Sequence, residues 1–167
     1  MLDLIFILLI FFLILSFFTG APYIVMRKKE AKKMTELAKI KKGERVYDLG
    51  SGDGRLVIMA AKKGARAIGY EINPFLVLIS WVRILLARVR KNAQIKWRNF
   101  WGQDISDADV VLLYLITQHM ERMEKKLLKE LKPGARVISY TFKFPNWPHS
   151  FYDKENRLYV YEKKIGN

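Results

Sequence analysis

The 167-residue chain contains no cysteine and only two histidines, His119 and His149. The absence of cysteine excludes disulfide scaffolds, cysteine-ligated zinc and every mechanism that uses a thiolate nucleophile. Two imidazoles are too few for a multi-histidine centre, so we predict no metal site. Acidic residues are also scarce, 16 against 30 Lys and Arg, and the net charge of +14 favours anionic partners such as nucleic acid or an anionic membrane face. A hydrophobic fraction of 51% excludes disorder and suits one compact α/β domain.

Charged side chains are absent from Leu4 to Met26, and the run from Leu4 to Phe18 is almost wholly Leu, Ile and Phe. A helix needs about 20 residues to cross a hydrocarbon core of about 30 Å. We therefore predict one transmembrane anchor over residues 1–20. A cleaved signal peptide is the weaker alternative, because the segment before the apolar run has Asp3 and no Lys or Arg. A merely buried helix is the other.

Basic residues follow the apolar run directly. Residues 27–45 carry nine basic and three acidic side chains, and such a flank favours the cytoplasmic side of a membrane. We expect a single-pass membrane protein with a juxtamembrane segment at 21–44 that contacts anionic lipid, and a domain at 45–167 on the cytoplasmic side. A topology signal with a solvated helix at 30–39 is the alternative interpretation of this segment.

Strands alternate with helices beyond residue 43. Apolar runs predict strands at 45–49, 66–71, 95–98, 110–115, 136–141 and 157–162, and the longer periodic segments predict helices at 55–63, 74–91 and 117–132. This alternation predicts a doubly wound, Rossmann-like α/β sheet of about six to seven strands, with the last strand antiparallel and the transmembrane helix before it. Such a sheet binds ligands at the carboxyl ends of its strands, near the point where the strand order reverses.

A glycine-rich turn lies at that place: Asp48-Leu49-Gly50-Ser51-Gly52-Asp53-Gly54-Arg55 follows the first strand and opens a helix. Its G-x-G-x-G spacing differs from the G-x-G-x-x-G of a dinucleotide fold, and the G-K-[ST] of a phosphate-binding loop is missing. Backbone without Cβ atoms, flanked by the carboxylates of Asp48 and Asp53, suits a ligand with ammonium and hydroxyl groups.

Polar residues also end the next two strands. Glu71 closes the second strand, where a carboxylate accepts hydrogen bonds from both ribose hydroxyls. Asn73 follows in the turn, where it also predicts an N-cap for the next helix. Asn99 lies just beyond the third strand, and we expect it to pair with an adenine edge while Phe100 or Trp101 stacks on the ring. The ordered set predicts S-adenosyl-L-methionine as the cofactor. A glycine turn made only for helix packing is the alternative.

The turn, together with Gly69-Tyr70-Glu71-Ile72-Asn73-Pro74, resembles the class I methyltransferases that modify lysines of the mitochondrial ATP synthase c subunit and adenine nucleotide translocase, and their small archaeal protein-lysine methyltransferase relatives. The resemblance covers most of residues 21–162. It implies that Tyr23 folds back to touch the cofactor. The chain departs from this family at residues 148–156, where the region between strands five and seven is short, so we expect a reduced sixth strand there. The cofactor site that we predict consists of Tyr23, Asp48, Gly50, Ser51, Gly52, Asp53, Gly54, Glu71, Asn73, Asn99 and Phe100.

The resemblance implies methylation of a lysine, which must be aligned and unprotonated but needs no dedicated base. We predict that Thr117, Tyr140 and Trp147 shape its channel, with a helix N-cap for Thr117 and core packing for Trp147 as the alternatives. The expected substrate is a membrane-associated protein with an accessible lysine. RNA, small-molecule or lipid methylation and a non-enzymatic, membrane-anchored cofactor-binding module remain alternatives. Nucleic acid is disfavoured because residues 114–117 lack the Asn-Pro-Pro-Tyr motif of base-modifying enzymes.

The predicted helix at 74–91 is apolar over most of its surface, apart from a narrow stripe of Ser80, Arg83, Ala87 and Arg90. This breadth exceeds what packing on one sheet face requires. Contact with lipid or a hydrophobic partner and ordinary burial are the two interpretations.

Overall fold

The structure of the chain is a computed structural model that describes residues 3, 6, 7, 10, 11 and 25–165. Helices α1 to α4 span Lys28–Leu37, Arg55–Lys62, Pro74–Leu86 and Thr117–Glu130. Strands β1 to β7 span Arg45–Leu49, Arg66–Glu71, Ala93–Trp97, Val110–Leu113, Arg136–Tyr140, Phe151–Asp153 and Leu158–Glu162. A 3-10 helix at Phe100–Gly102 follows β3, and residues 3, 6, 7, 10 and 11 are helical.

The strands form one seven-stranded sheet in the order β3-β2-β1-β4-β5-β7-β6. Each pair of neighbouring strands within β1 to β5 is parallel, and β7 is antiparallel to both β5 and β6. The sheet is therefore doubly wound as predicted, and the sixth strand is reduced to three residues. The strand order reverses between β1 and β4, so the loops that leave their carboxyl ends flank the expected ligand crevice.

Two apolar layers cover the sheet. Val110 and Leu112 of β4 pack with the layer of α1 to α3, whereas Val111 and Leu113 pack with the layer of α4. All four side chains are fully buried, because consecutive apolar residues of a parallel strand point to opposite, equally covered faces.

Helix α3 ends at Leu86, five residues before the predicted end. Arg88 takes a left-handed backbone conformation with φ of 57°, which stops the helix and turns the chain into β3. The part of the predicted polar stripe that lies within the helix faces inward: Ser80 is fully buried and Arg83 reaches the glycine turn. Arg90 lies beyond the helix and is exposed. The opposite side of the helix exposes six large apolar side chains, so ordinary burial is wrong for that side; they are Leu78, Ile79, Trp81, Val82, Leu85 and Leu86.

Helix α1 is tied to the hairpin of β6 and β7. Lys29 Nζ lies 3.0 Å from Glu155 Oε1, and Lys33 Nζ lies 3.9 Å from Asp153 Oδ2. Part of the basic charge that the sequence analysis assigned to lipid contact thus has acidic partners within the chain. Exposed ion pairs of this kind contribute at most about 1 kcal/mol each to the free energy of unfolding. These two pairs show which side of α1 faces the hairpin.

The predicted transmembrane anchor over residues 1–20 requires a correction. No helix in the described part of the chain is both long and apolar enough to span a bilayer. Helix α4, the longest with described bounds, has 14 residues, about 21 Å of helix against a core of about 30 Å. The predictions of a transmembrane helix before the sheet and of a single-pass protein with its domain on the cytoplasmic side are therefore wrong. Most of residues 1–24, including Tyr23, lies outside the described residues.

Candidate functional site

The glycine turn after β1 is held against the end of β2. The backbone N–H groups of Gly50 and Ser51 both donate to the carbonyl oxygen of Tyr70, at 3.0 Å each, and Gly54 N–H donates to Ser51 at 2.9 Å. Gly50 and Gly52 have φ of 86° and 53°, values that a residue with a Cβ atom adopts only with strain. The G-x-G-x-G spacing is thus explained by the backbone path of the turn.

Glu71 connects the two strand ends. Its Oε2 accepts a hydrogen bond of 2.9 Å from Gly52 N–H, and its Oε1 accepts bonds from Ile72 and Asn73 at 2.9 and 2.8 Å. Burial raises the pKa of this carboxyl, and the three backbone donors oppose that rise. A carboxylate has about four acceptor positions, so one position remains for a ligand hydroxyl while the turn stays in place.

Asp48 is buried beneath the same turn. Burial, followed by the negative charges of Glu71 and Asp53, raises the pKa of Asp48 to about 8. The carboxyl that we expected to meet a ligand ammonium therefore favours its protonated form near neutral pH. A cation placed beside it would favour its ionised form.

Asp53 has partners that the sequence analysis did not identify. It lies 2.6 Å from Arg55 Nη2 and contacts Arg83 of α3, which also donates to its carbonyl oxygen at 3.2 Å. Burial works against ionisation, but the hydrogen bond and charge of Arg55 and the charge of Arg83 hold the pKa of Asp53 below its usual value. Ser80 donates to Gly52 O at 2.9 Å. Asp53 therefore positions the turn through α3.

Three predicted cofactor residues have structural partners of their own. Asn73 caps α3, since its Oδ1 accepts from Phe75 N–H at 3.0 Å, and Asn99 caps the 3-10 helix by accepting from Trp101 N–H at 3.0 Å. Phe100 is 4% exposed and packs in the core, whereas Trp101 is partly exposed with the Arg122 guanidinium 4.1 Å from its ring centroid. Capping leaves both asparagines at the carboxyl edge of the sheet, where the prediction placed them.

The turn packs closely against β2 and α3 and leaves one buried polar side chain without a partner. The Ser51 hydroxyl is buried without a hydrogen-bond partner, a cost that a bound polar group would relieve. Gly69 of β2 allows this packing, because a Cβ there would lie 2.6 Å from Ser51 Oγ. Gly54 allows α3 to approach, because a Cβ there would lie 2.9 Å from Ser80 Oγ. The residues present therefore fit a nucleoside with an amino-acid tail.

The predicted channel residues occupy different places. Thr117 is exposed at the start of α4, where Ile116 holds the N-cap position, and it lines a groove of about 440 Å³ with Thr141 of the β5–β6 connection. Tyr140 is 7% exposed on the other face of the sheet. Trp147 is 3% exposed and its ring lies 5.6 Å from Phe144 in the core, as its packing alternative predicted. Among the described residues, no group of acidic or histidine side chains fits a metal ion.

Comparison with known proteins shows which family this chain matches. Residues 48–151 match the family described as the ANTKMT methyltransferase domain. The chain is 41% identical over 140 residues to a protein-lysine N-methyltransferase of Saccharolobus islandicus, covering 80% of this chain and 84% of that protein. It is 39% identical over 126 residues to the human lysine N-methyltransferase of the ATP synthase c-subunit, covering 75% of this chain and 54% of that protein. The chain thus spans about half the length of the human relative.

A solved structure is also similar over nearly the whole described chain. It is an RNA methyltransferase from Salinibacter ruber in complex with S-adenosyl-L-homocysteine, with a TM-score of 0.83, 33% identity, and coverage of 86% of this chain and 96% of that one. An S-adenosyl-L-homocysteine complex of a methyltransferase from Thiobacillus denitrificans matches with a TM-score of 0.62 at 17% identity, covering 72% of this chain and 52% of that one, which supports the fold alone.

Replacing Asp48 by Asn tests the protonation state of the site. The raised pKa, about 8 against about 3.9 in an unfolded chain, means that the folded chain holds one more proton than the unfolded chain between these values. Stability therefore falls as the pH rises through this window, and Asp48→Asn abolishes the fall. We expect the melting temperature of the variant to exceed that of the wild type by an amount that grows from pH 5 to pH 8.

The control is Glu36→Gln, which removes an exposed carboxylate of α1. Its melting temperature should change with pH in the same way as that of the wild type. If the melting temperature of Asp48→Asn also changed with pH as that of the wild type does, Asp48 would be ionised in the folded chain, which would contradict its raised pKa.

Proposed function

The chain belongs to the ANTKMT methyltransferase family, and on that premise we propose that it transfers a methyl group from S-adenosyl-L-methionine to lysine side chains of proteins. The observation that carries the proposal is the glycine turn bound through Gly52 N–H to the Glu71 carboxylate, within a chain 41% identical to a protein-lysine N-methyltransferase. Two features support the cofactor: the unpartnered Ser51 hydroxyl, and the Glu71 carboxylate, whose three backbone donors leave one of about four acceptor positions.

Different residues would bind the amino-acid tail, the ribose and the adenine of the cofactor. Ser51 and Asp48 would bind the amino-acid tail, Glu71 would accept from a ribose hydroxyl, and Asn99 with Trp101 would border the adenine. S-Adenosyl-L-methionine supplies a methyl carbon on a positively charged sulfur, which becomes the neutral thioether of S-adenosyl-L-homocysteine when a nitrogen lone pair takes the methyl group. The ionised form of Asp48 would be favoured by the ammonium of the tail.

The chain's own contribution is to align an unprotonated amine. A free lysine has a pKa of about 10.4, so the site must desolvate the ammonium and let its proton pass to water before transfer. Orientation of the two reactants is worth up to about 7 to 11 kcal/mol, so no dedicated base is required. We propose that the polypeptide lies along the groove that Thr117, Glu121 and Tyr159 line.

Protein substrates are favoured over RNA by the named relatives, which act on the ATP synthase c-subunit and, in the mouse relative, on adenine nucleotide translocase. The RNA methyltransferase among the solved structures and the charge of +14 make RNA the second candidate.

We also propose that the outward side of α3 rests on an anionic lipid surface without spanning it. Its six exposed apolar residues include Trp81, 51% exposed, whose indole N–H is fixed by the Ile95 carbonyl at 3.1 Å. Residues 72–103 contain no acidic residue and, besides Arg83, which pairs with Asp53, five further basic residues, so this part of the chain attracts anionic headgroups.

Transfer to lysine is tested by incubating the full chain with radiolabelled S-adenosyl-L-methionine and solubilised membrane proteins, and then locating the label by peptide mass. We expect label on lysine, reduced at least tenfold in Glu71→Ala because the turn and the ribose lose their acceptor, and unchanged in Glu36→Ala. Label recovered in RNA alone would overturn the choice of substrate.

Lipid contact is tested by co-sedimentation with vesicles of phosphatidylcholine, with and without phosphatidylglycerol. We expect the full chain to sediment with the anionic vesicles at low salt, and the double variant Leu85→Glu, Leu86→Glu to lose most of this binding. Phe151→Glu, which changes an exposed aromatic of β6, should bind like the wild type. Equal binding of the double variant would exclude α3 as the contact.

A further inference from the structure

Tyr114 and Tyr140 lie beside the glycine turn, on the face of the sheet that α1 covers. Leu113 of β4 pairs with Leu49 of β1 and with Ser139 of β5. Because neighbouring parallel strands advance together, the next residue, Tyr114, lies between Gly50 and Tyr140. The Tyr114 and Tyr140 rings meet edge to face, with centroids 4.6 Å apart. Tyr114 is only partly buried, so one side of the pair is open.

The Arg157 guanidinium contacts the Tyr140 ring, and the backbone next to this contact is strained. Arg157 Nη2 donates to the Tyr140 hydroxyl at 3.1 Å, and its guanidinium lies 5.4 Å from the Tyr140 ring centroid. Thr141 N–H donates to Arg157 O at 2.7 Å, and these two residues have φ of 71° and 53°. Positive φ is rare for a β-branched residue, and such strain persists mostly at functional sites.

Glu30 of α1 approaches this cluster from the helix side. Lys29 and Lys33, on either side of Glu30 in the sequence, pair with Glu155 and Asp153 of the β6–β7 hairpin that carries Arg157. Consistent with this position, the hydrogen bond and charge of Tyr140, and then the charges of Tyr114 and Glu30, raise the pKa of Arg157. Glu30 Oε2 is buried and has no hydrogen-bond partner, which is costly for a carboxylate oxygen unless a donor occupies the position at some stage.

We propose that Glu30 and the Tyr114–Tyr140 pair bind the side chain of the target lysine, with the lysine stem along the rings and its nitrogen donating to Glu30 Oε2. The inference rests on the proposed function and names the residues that select a lysine. A carboxylate next to aromatic rings suits an ammonium on an apolar stem. Arg157 opposes the charge of that ammonium, so the amine is bound without being held permanently in its protonated form.

The same electrostatics predict how a variant behaves. The Glu30 carboxylate favours the protonated amine, so Glu30→Gln weakens binding and lowers the pKa of the bound lysine. We expect KM for the acceptor to rise about tenfold and the rise of kcat with pH to move to lower pH. Glu30→Asp keeps the charge and should recover most of KM. Tyr114→Phe should retain KM, whereas Tyr114→Ala should raise it.

The acceptor is a lysine peptide from the first protein that the wild-type chain labels, and Glu36→Gln on the exposed side of α1 is the matched control. The melting temperature and the affinity for S-adenosyl-L-homocysteine should stay at wild-type values in Glu30→Gln. A KM and pH profile equal to those of Glu36→Gln would overturn the inference, as would a loss confined to S-adenosyl-L-homocysteine affinity. If the wild type labels no lysine at all, the proposed function fails instead.

Discussion

The hydrogen bond from Gly52 N–H to Glu71 Oε2, 2.9 Å long, is the contact on which the site depends. It joins the turn after β1 to the end of β2, and the backbone donors Ile72 and Asn73 keep the carboxylate in place. Because the carboxylate is buried, its loss would leave these donors without an acceptor in a region of low dielectric. We propose that the same carboxylate, which shapes the turn, also accepts a hydrogen bond from the ligand.

This constraint explains the orientation of α3. Ser80 and Arg83 turn inward because the turn needs a donor for Gly52 O and a counter-charge for Asp53. Because the polar side chains of α3 contact the rest of the protein, its apolar side faces solvent or a partner. The exposed surface of α3 is thus linked to the site, and a change in the turn would reach that surface through two side chains.

Much of the sheet was predictable because its signals are local. The bounds of β1 and β2 agree with the apolar runs, and the turn was identified from glycine spacing alone. The end of α3 was missed because nothing in the sequence marks Arg88 as left-handed. Ser80 and Arg83 were missed because hydropathy cannot tell which side of an apolar helix faces inward. The N-cap role of Asn73 was predicted and is confirmed, whereas the cap that Asn99 forms on the 3-10 helix could be identified only from the backbone. The anchor over residues 1–20 followed from apolar length alone, and that criterion does not show that a spanning helix forms.

The central claim is that the turn and Glu71 bind the nucleoside of the methyl donor. Titration calorimetry of the full chain with S-adenosyl-L-homocysteine, with the fold verified by circular dichroism in the same buffer, tests it most directly. We expect saturable heat at one ligand per chain in the wild type and none in Gly50→Val, because the backbone of a β-branched residue adopts a φ of 86° only with strain. A folded wild-type chain that gives no heat, or a folded Gly50→Val that binds with unchanged affinity, would contradict it.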